Sequence, residues 1–333
     1  VDQGVLTEAA TPPTSPQRRR GRWFADNSGS FVVYIGLIVI MVFFSATLSG
    51  KGFLSSDNLL NVLRQTSMVS IMAIGTTFAL SAGEIDLSIG STVALSALVG
   101  AVLLRDVNIF VAVLAALGVG LAVGLTNGLL TTKLRIPSFL VTLGMMGIVS
   151  GLARNLTNLR AVPVTDHTFT SLFGSGNIGP IPGLLVWTAA VLGLAHLAYR
   201  KSSFGRKVLA TGGNRVAARY SGINTDRVRI AALVISAMTA SLAGLLFAGR
   251  LHGARYTLGD SELITVIAAA VIGGTSLLGG KGSVMGAVVG SLIMGILANG
   301  LVLMGLSVDD QMIARGVIIV LAVALSLREK KEA

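Results

Sequence analysis

Apolar residues along this chain run in long blocks, separated by short stretches that carry most of its arginines and all its prolines, rather than alternating with polar residues. A helix needs about 20 apolar residues to cross the hydrocarbon core of a bilayer, and fewer where it is broken or buried among neighbours. On that pattern ten spans are expected, at 31–48, 66–82, 88–104, 109–131, 139–154, 184–199, 230–249, 262–274, 284–303 and 311–327. The predicted class is an all-α integral membrane protein of about ten transmembrane helices, some short or broken. Residues 1–30 read as a disordered basic tail, 31–327 as the membrane domain and 328–333 as a second tail. No small-residue cleavage site follows the first apolar block, which is read as an uncleaved span.

Composition agrees: 53% of the residues are hydrophobic and 12% charged, outside the range of soluble domains. The net charge of +11 is therefore tested first as a topology signal. Ten spans put both termini on one side, and eighteen of the 26 Lys and Arg fall there against seven on the other. Both termini are expected in the cytoplasm, because basic loops stay inside. Arg315 lies one turn into the last span and is expected to snorkel outward. An aromatic share of 5% gives no base-stacking platform, so a nucleic-acid partner is set aside. Cysteine is absent, and His167, His196 and His252 have no metal-ligand spacing.

Twenty-one of the 41 glycines fall inside the apolar blocks, with runs at residues 120–130 and around Gly286 and Gly290. Small residues every three or four positions let helix backbones approach closely. Two places repeat a pattern of helix, polar glycine-rich break and helix, starting at Gly83 and at Gly273. The first, GEIDLSIGS, holds Gly83, Glu84, Asp86 and Ser88. Three roles suit its acids: Asp86 capping the next helix through the N–H of Ser88 or Ile89 and shaping a gate, direct substrate contact, or uptake of protons or sodium. The second break contains TSLLGGKGS, which fails the phosphate-loop pattern at both Thr275 and Gly282. No ATP site is expected on this chain.

Residues 200–229 form the longest basic loop. Within it Asn214 is a good N-cap after two glycines that end an extended segment, and Gly222 a good C-terminal stop, framing a two-turn helix from Arg215 to Ser221. Val216, Ala217 and Tyr220 give that helix an apolar face, with Arg215 and Arg219 on another. Alone in water so short a helix is marginal, so it must dock, either on the membrane surface or on a protein.

The loop resembles the coupling segment of the permease subunits of bacterial ABC importers for monosaccharides. The matching residues are Gly205, Arg206, Ala210, Gly212, Gly213, Asn214, Ala217, Ala218, Arg219, Ser221, Gly222 and Ile223. GEIDLSIGS, residues 127–146, residues 267–283 and NGLVLMG at 299–305 follow in the family's order. The resemblance implies that Gly213, Asn214, Arg215, Ala218, Arg219 and Gly222 insert into separate cytoplasmic ATP-binding subunits, which hold the ATP and magnesium. It also implies an extracytoplasmic sugar-binding protein facing residues 155–183, a permease homodimer, and a place in the bacterial inner membrane among its lipids. Arg215 and Thr265 depart from the family, which often has acids or other polar residues there. Candidate pathway residues are Asn127, Thr142 and Asn299 within spans and Glu262 at an outer end, any of which could instead hold helices together. The competing reading is an ion-coupled secondary transporter using Glu84 or Asp86. No nucleophile and base pair supports a membrane enzyme.

Overall fold

The computed structural model describes residues 33–307, 309–314, 316 and 317. Helix α1 is Val33–Thr47. It is followed by α2 (Ser56–Ser81), α3 (Ile89–Asp106), α4 (Ile109–Lys133), α5 (Ser138–Thr157), the single turn α6 (His167–Thr170) and α7 (Gly183–His196), which a π-helical turn carries to Lys201. Then come α8 (Ser203–Gly213), α9 (Arg215–Tyr220), α10 (Thr225–Leu251), α11 (Glu262–Ile272) and α12 (Val284–Leu303). Side chains of Ser55, Asn108, Ser202, Asn214, Asn224 and Ser283 cap the helices that follow them, each accepting a first-turn N–H.

The described residues are all-α apart from two minimal ladders, in which β1 (Val162–Pro163) pairs with β4 (Gly253–Ala254) and β2 (Asn177–Ile178) with β3 (Ile181–Pro182). Among the described residues six helical segments are long and apolar enough to cross a membrane: α3, α4, α5, Gly183–Lys201, α10 and α12. Helices α1 and α11 are apolar but shorter. α2 has 26 residues but is studded with Ser and Thr, and its C-terminal half is buried in the protein. Helices thus occupy nine of the ten expected span positions. The tenth, 311–327, falls mostly outside the described residues, as do Arg315 and the tails at 1–30 and 328–333.

α10 is the central post. It packs on α2, α3 and α4, while α2 also holds α12, α11 and α7, and α5 lies against α3. Glycine makes the α4–α10 seam possible. A Cβ on Gly120, Gly124 or Gly128, one turn apart, would come within 2.6, 2.6 and 2.9 Å of Ser241, Val234 and Ile230. The G-x-x-x-G of α12 does the same on α11, where Gly286 and Gly290 lie against the backbone oxygens of Gly273 and Ala269.

The connections gather at two ends of this bundle. At one, β1 joins β4, Arg64 of α2 donates to Asn177 and Arg250 of α10 to Asn61. At the other lie the α2–α3 break, the α4–α5 connection, residues 200–229 and the α11–α12 break. Two expectations need correction. The segment before Asn214 is the helix α8, not extended chain, because its glycines lie where α8 presses on α2. α2 starts at Ser56 rather than near 66, since Ser55 caps it and Asp57 sits favourably in its first turn.

Candidate functional site

α2 ends in a Schellman turn. Gly83 takes φ +80°, its N–H donates to the Leu80 carbonyl at 2.9 Å, and the Glu84 N–H reaches the Ala79 carbonyl at 2.9 Å. Residues 84–88 then cross without helical structure to Ser88, whose carbonyl accepts the Thr92 N–H at 2.9 Å and opens α3. Such a segment must find partners for its backbone elsewhere. The Ile85 N–H donates to the Ser138 hydroxyl at 3.1 Å, and the Ile85 carbonyl accepts the Thr142 hydroxyl at 3.0 Å, so α5 takes the place of a helical turn.

Both acids of the break are buried, Glu84 at 1% and Asp86 at 2% exposure, and they are satisfied in different ways. Asp86 has neutral donors. Its Oδ1 accepts the Ser88 N–H at 3.0 Å and the Ser88 hydroxyl at 2.6 Å, and its Oδ2 accepts the Ser236 hydroxyl of α10 at 2.8 Å. The expected bond to the Ser88 N–H is therefore present, and it shapes the entry to α3. Asn127 of α4 joins by donating from Nδ2 to the Ser88 hydroxyl at 3.0 Å. Its Oδ1 is buried without a hydrogen-bond partner, as is Thr131 Oγ1 one turn further along α4.

Glu84 has cations. Its Oε1 accepts from Arg215 Nη2 at 3.1 Å and from the Nε of Arg229, which is itself 8% exposed. A buried carboxylate without such partners would carry a desolvation penalty of several kcal/mol. Arg215 belongs to α9 and Arg229 to the first turns of α10, so one carboxylate oxygen links three elements. Arg215, one of the two departures from the family, thus makes a charge contact within the chain. Partial burial and then the nearby Arg229 push the Arg215 guanidinium below its ordinary pKa, while Glu84 pulls it back up. Arg219, the other basic residue of α9, faces Asp226 at 3.3 Å and the Thr225 hydroxyl at 3.2 Å.

α9 itself is framed as expected. Asn214 Oδ1 accepts the Ala217 N–H at 3.0 Å. At the far end Gly222, at φ +81°, donates to the Arg219 carbonyl and Ile223 to the Ala218 carbonyl. Ala218 is buried at 5%, whereas Val216 is 65% and Tyr220 89% exposed. The helix is thus pinned on its arginine side and bare on its apolar side.

The two glycine-rich breaks, far apart in sequence, meet here. The Gly280 N–H donates to the Ser81 carbonyl at 3.0 Å, and the Ser81 hydroxyl shares a 2.6 Å bond with the Tyr199 hydroxyl. Gly212, at the end of α8, lies so close that a Cβ would collide with the Ser81 carbonyl oxygen. Gly213 borders Gly280 in the same junction.

Of the four candidate pathway residues, the structure brings Asn127 and Thr142 to the break. Asn299 pairs with Asn58 of α2, and Glu262 begins α11 with its carboxylate 3.3 Å from the Ser261 hydroxyl, both toward the opposite end. Thr265 is buried one turn into α11 and donates to the Ser261 carbonyl at 3.4 Å. Sequence reasoning missed Arg229, Ser236, Ser138 and Tyr199. Only Arg229 left a trace, as one cation among many in the basic loop.

Among known proteins, residues 58–323 match the family described as the permease component of the branched-chain amino acid transport system. The ribose import permease protein RbsC of Escherichia coli strain K12 is 40% identical over 306 residues, covering 89% of this chain and 93% of that protein. RbsC of Bacillus subtilis strain 168 is 36% identical over 299 residues, 89% and 92% of the two chains. The xylose transport system permease protein XylH of Haemophilus influenzae is 32% identical over 367 aligned positions, 91% and 97%. No solved structure matches the chain. With the family match running from α2 to beyond α12, and relatives aligned across nine-tenths of their length, this chain belongs to that family of transporter permease components.

Proposed function

We propose that this chain is the membrane-translocation subunit of an ATP-driven importer, and that its cargo is a monosaccharide such as ribose or xylose. The observation that carries the reading is α9: a capped helix too short to persist alone, tied to the bundle by Arg215 and presenting Val216 and Tyr220 to solvent. A helix built this way serves as a plug for a protein cleft. ATP and magnesium belong to that partner, an ATP-hydrolysing subunit.

The remaining parts follow from this arrangement. Ten spans with both termini in the cytoplasm place α8 and α9 inside, in keeping with the bias of basic residues toward that end. Residues 155–183, with the β2–β3 hairpin, then face outward toward a sugar-delivering binding protein. Two copies of the chain would enclose the pathway, in the inner membrane of a bacterium. For the cargo, the relatives named for ribose and xylose are the guide.

A secondary carrier using the break acids is disfavoured by their surroundings. Glu84 is engaged by two arginines and Asp86 by three donors, which leaves neither free to exchange an ion. The test is uptake of labelled ribose and xylose into proteoliposomes holding this chain with its ATPase and binding protein. Uptake that requires internal ATP and survives collapse of the proton and sodium gradients supports the reading. Uptake that follows a gradient without ATP overturns it.

A further inference from the structure

We propose that Glu84 is the positioning residue through which movement of the short helix α9 reaches the helix break, so that ATP hydrolysis and sugar passage are coupled by one carboxylate; the inference rests on the function proposed above. Three observations carry it. α9 touches the bundle at few points: the buried Ala218, its backbone connections, Arg219 with Asp226 and Thr225 at the start of α10, and the Arg215 to Glu84 contact at 3.1 Å, the last of which is the one that reaches the break. Glu84 is not on a rigid helix but in the irregular segment immediately after Gly83, where a shift is not resisted by a helical ladder. From that segment the contacts fan out to three of the long helices. They reach α5 through Ile85 with Ser138 and Thr142, α10 through Asp86 with Ser236, and α4 through Ser88 with Asn127.

The geometry also distinguishes the two arginines. Arg229 is 8% exposed and anchored on α10, and it neutralises Glu84 whatever α9 does. Arg215 is the movable contact, with 43% of its side chain exposed. When an ATPase pair closes on α9, the pull on Arg215 is delivered to Glu84 while Arg229 keeps that carboxylate from being stranded unpaired. A buried charge held by two cations tolerates the stretching of one bond far better than a charge with a single partner. The same logic accounts for an acid at 84 rather than an amide: an amide oxygen could also accept two bonds, but it would leave the buried Arg229 guanidinium without a counter-charge.

The experiment compares wild type, Arg215→Gln, Glu84→Gln and Glu84→Asp in proteoliposomes with the ATPase and binding protein. It measures ATPase retained on the permease, ATP hydrolysed and ribose accumulated. Arg215→Gln decides the matter, because it leaves the buried Glu84 and Arg229 pair intact and so spares folding. The expected result is that ribose accumulated per ATP hydrolysed by the ATPase that remains bound falls about tenfold, within the usual range for coupling between two sites. Glu84→Gln should match it wherever it assembles, and Glu84→Asp should recover part of the ratio. An unchanged ratio in Arg215→Gln overturns the proposal, and so does a loss of uptake explained wholly by lost ATPase. If wild type itself shows no ATP-driven uptake, it is the function reading that fails.

Discussion

Asn58 and Asn299 exchange two amide hydrogen bonds across the α2–α12 interface, Asn58 Nδ2 to Asn299 Oδ1 at 3.0 Å and Asn299 Nδ2 to Asn58 Oδ1 at 2.9 Å. Asn58 spends its other amide hydrogen on the Phe53 carbonyl at 2.8 Å. A pair so nearly satisfied by itself has little left for a passing sugar. Asn299→Ala is expected to lower stability in detergent by about 1 kcal/mol, the scale of interhelical hydrogen bonds in membranes. Ribose uptake per folded molecule should stay at the wild-type level. Thermal unfolding and uptake, both normalised to protein, check this, and a specific loss of uptake would return Asn299 to the pathway.

Val216 and Tyr220 stand in solvent on α9, so changing them removes little from the fold. Val216→Asp and Tyr220→Asp should alter stability by no more than about 0.5 kcal/mol, as surface substitutions do. Retention of the ATPase should fall by roughly 30-fold for Tyr220, since an exposed aromatic that becomes buried is the usual anchor of such contacts. Co-purification at several ATPase concentrations measures it. Retention equal to wild type in both variants would move the docking surface elsewhere.

Asp86 accepts three hydrogen bonds from Ser88 and Ser236, and removing its carboxylate strands those donors in the interior. Asp86→Ala is expected to destabilise by about 1–3 kcal/mol, the range for buried polar groups left unpaired. Asp86→Asn should lose less, because the amide oxygen still serves Ser88 while the Ser236 hydroxyl turns to accept from the amide nitrogen. Thermal unfolding of the two variants gives the order. Uptake by Asp86→Asn should also remain indifferent to an ionophore, whereas a new or lost response would reopen ion coupling.

Gly212→Ala should disrupt the junction of α2, α8 and the second break, since the added methyl meets the Ser81 carbonyl oxygen. Backbone on both sides leaves no flexible side chain to move away. Overpacking of this kind costs about 1–3 kcal/mol. Gly222→Ala is a control of another sort: no atom crowds it, but its φ of +81° disfavours a side chain, so the loss should fall on α9 and on ATPase retention. Yield of membrane-inserted protein and ATPase binding separate the two outcomes.

Local features of this fold were legible in the sequence and tertiary ones were not. The frame of α9 could be read because Asn214 and Gly222 act on residues three or four positions away. The glycine seams of α4 and α12 were visible as spacing, though not which helices they would meet. α8 was misread because glycine at 212 and 213 looks like a helix breaker, and the reason for it lies on α2, at Ser81. The start of α2 was hidden by polar residues that favour a loop until Ser55 is seen to cap them. Glu84 and Arg229 lie 145 residues apart, and nothing in either neighbourhood announces the other. Capping by Asp86 through the Ser88 N–H could be named from spacing, and that bond is present, whereas the two arginines that hold Glu84 could not.

At the meeting point of the two breaks, much of the contact is made by main-chain atoms: the Ser81 carbonyl, the Gly280 N–H and the bare backbone of Gly212. Main-chain contacts survive most substitutions, except at the glycines whose missing side chains let the backbones touch. A joint made from them is indifferent to cargo, so residues along the pathway are free to drift toward one sugar or another without retuning the machinery that moves them. Chimaeras that keep residues 81–88, 200–229 and 273–283 while exchanging the helices between them offer a practical route to importers of altered taste.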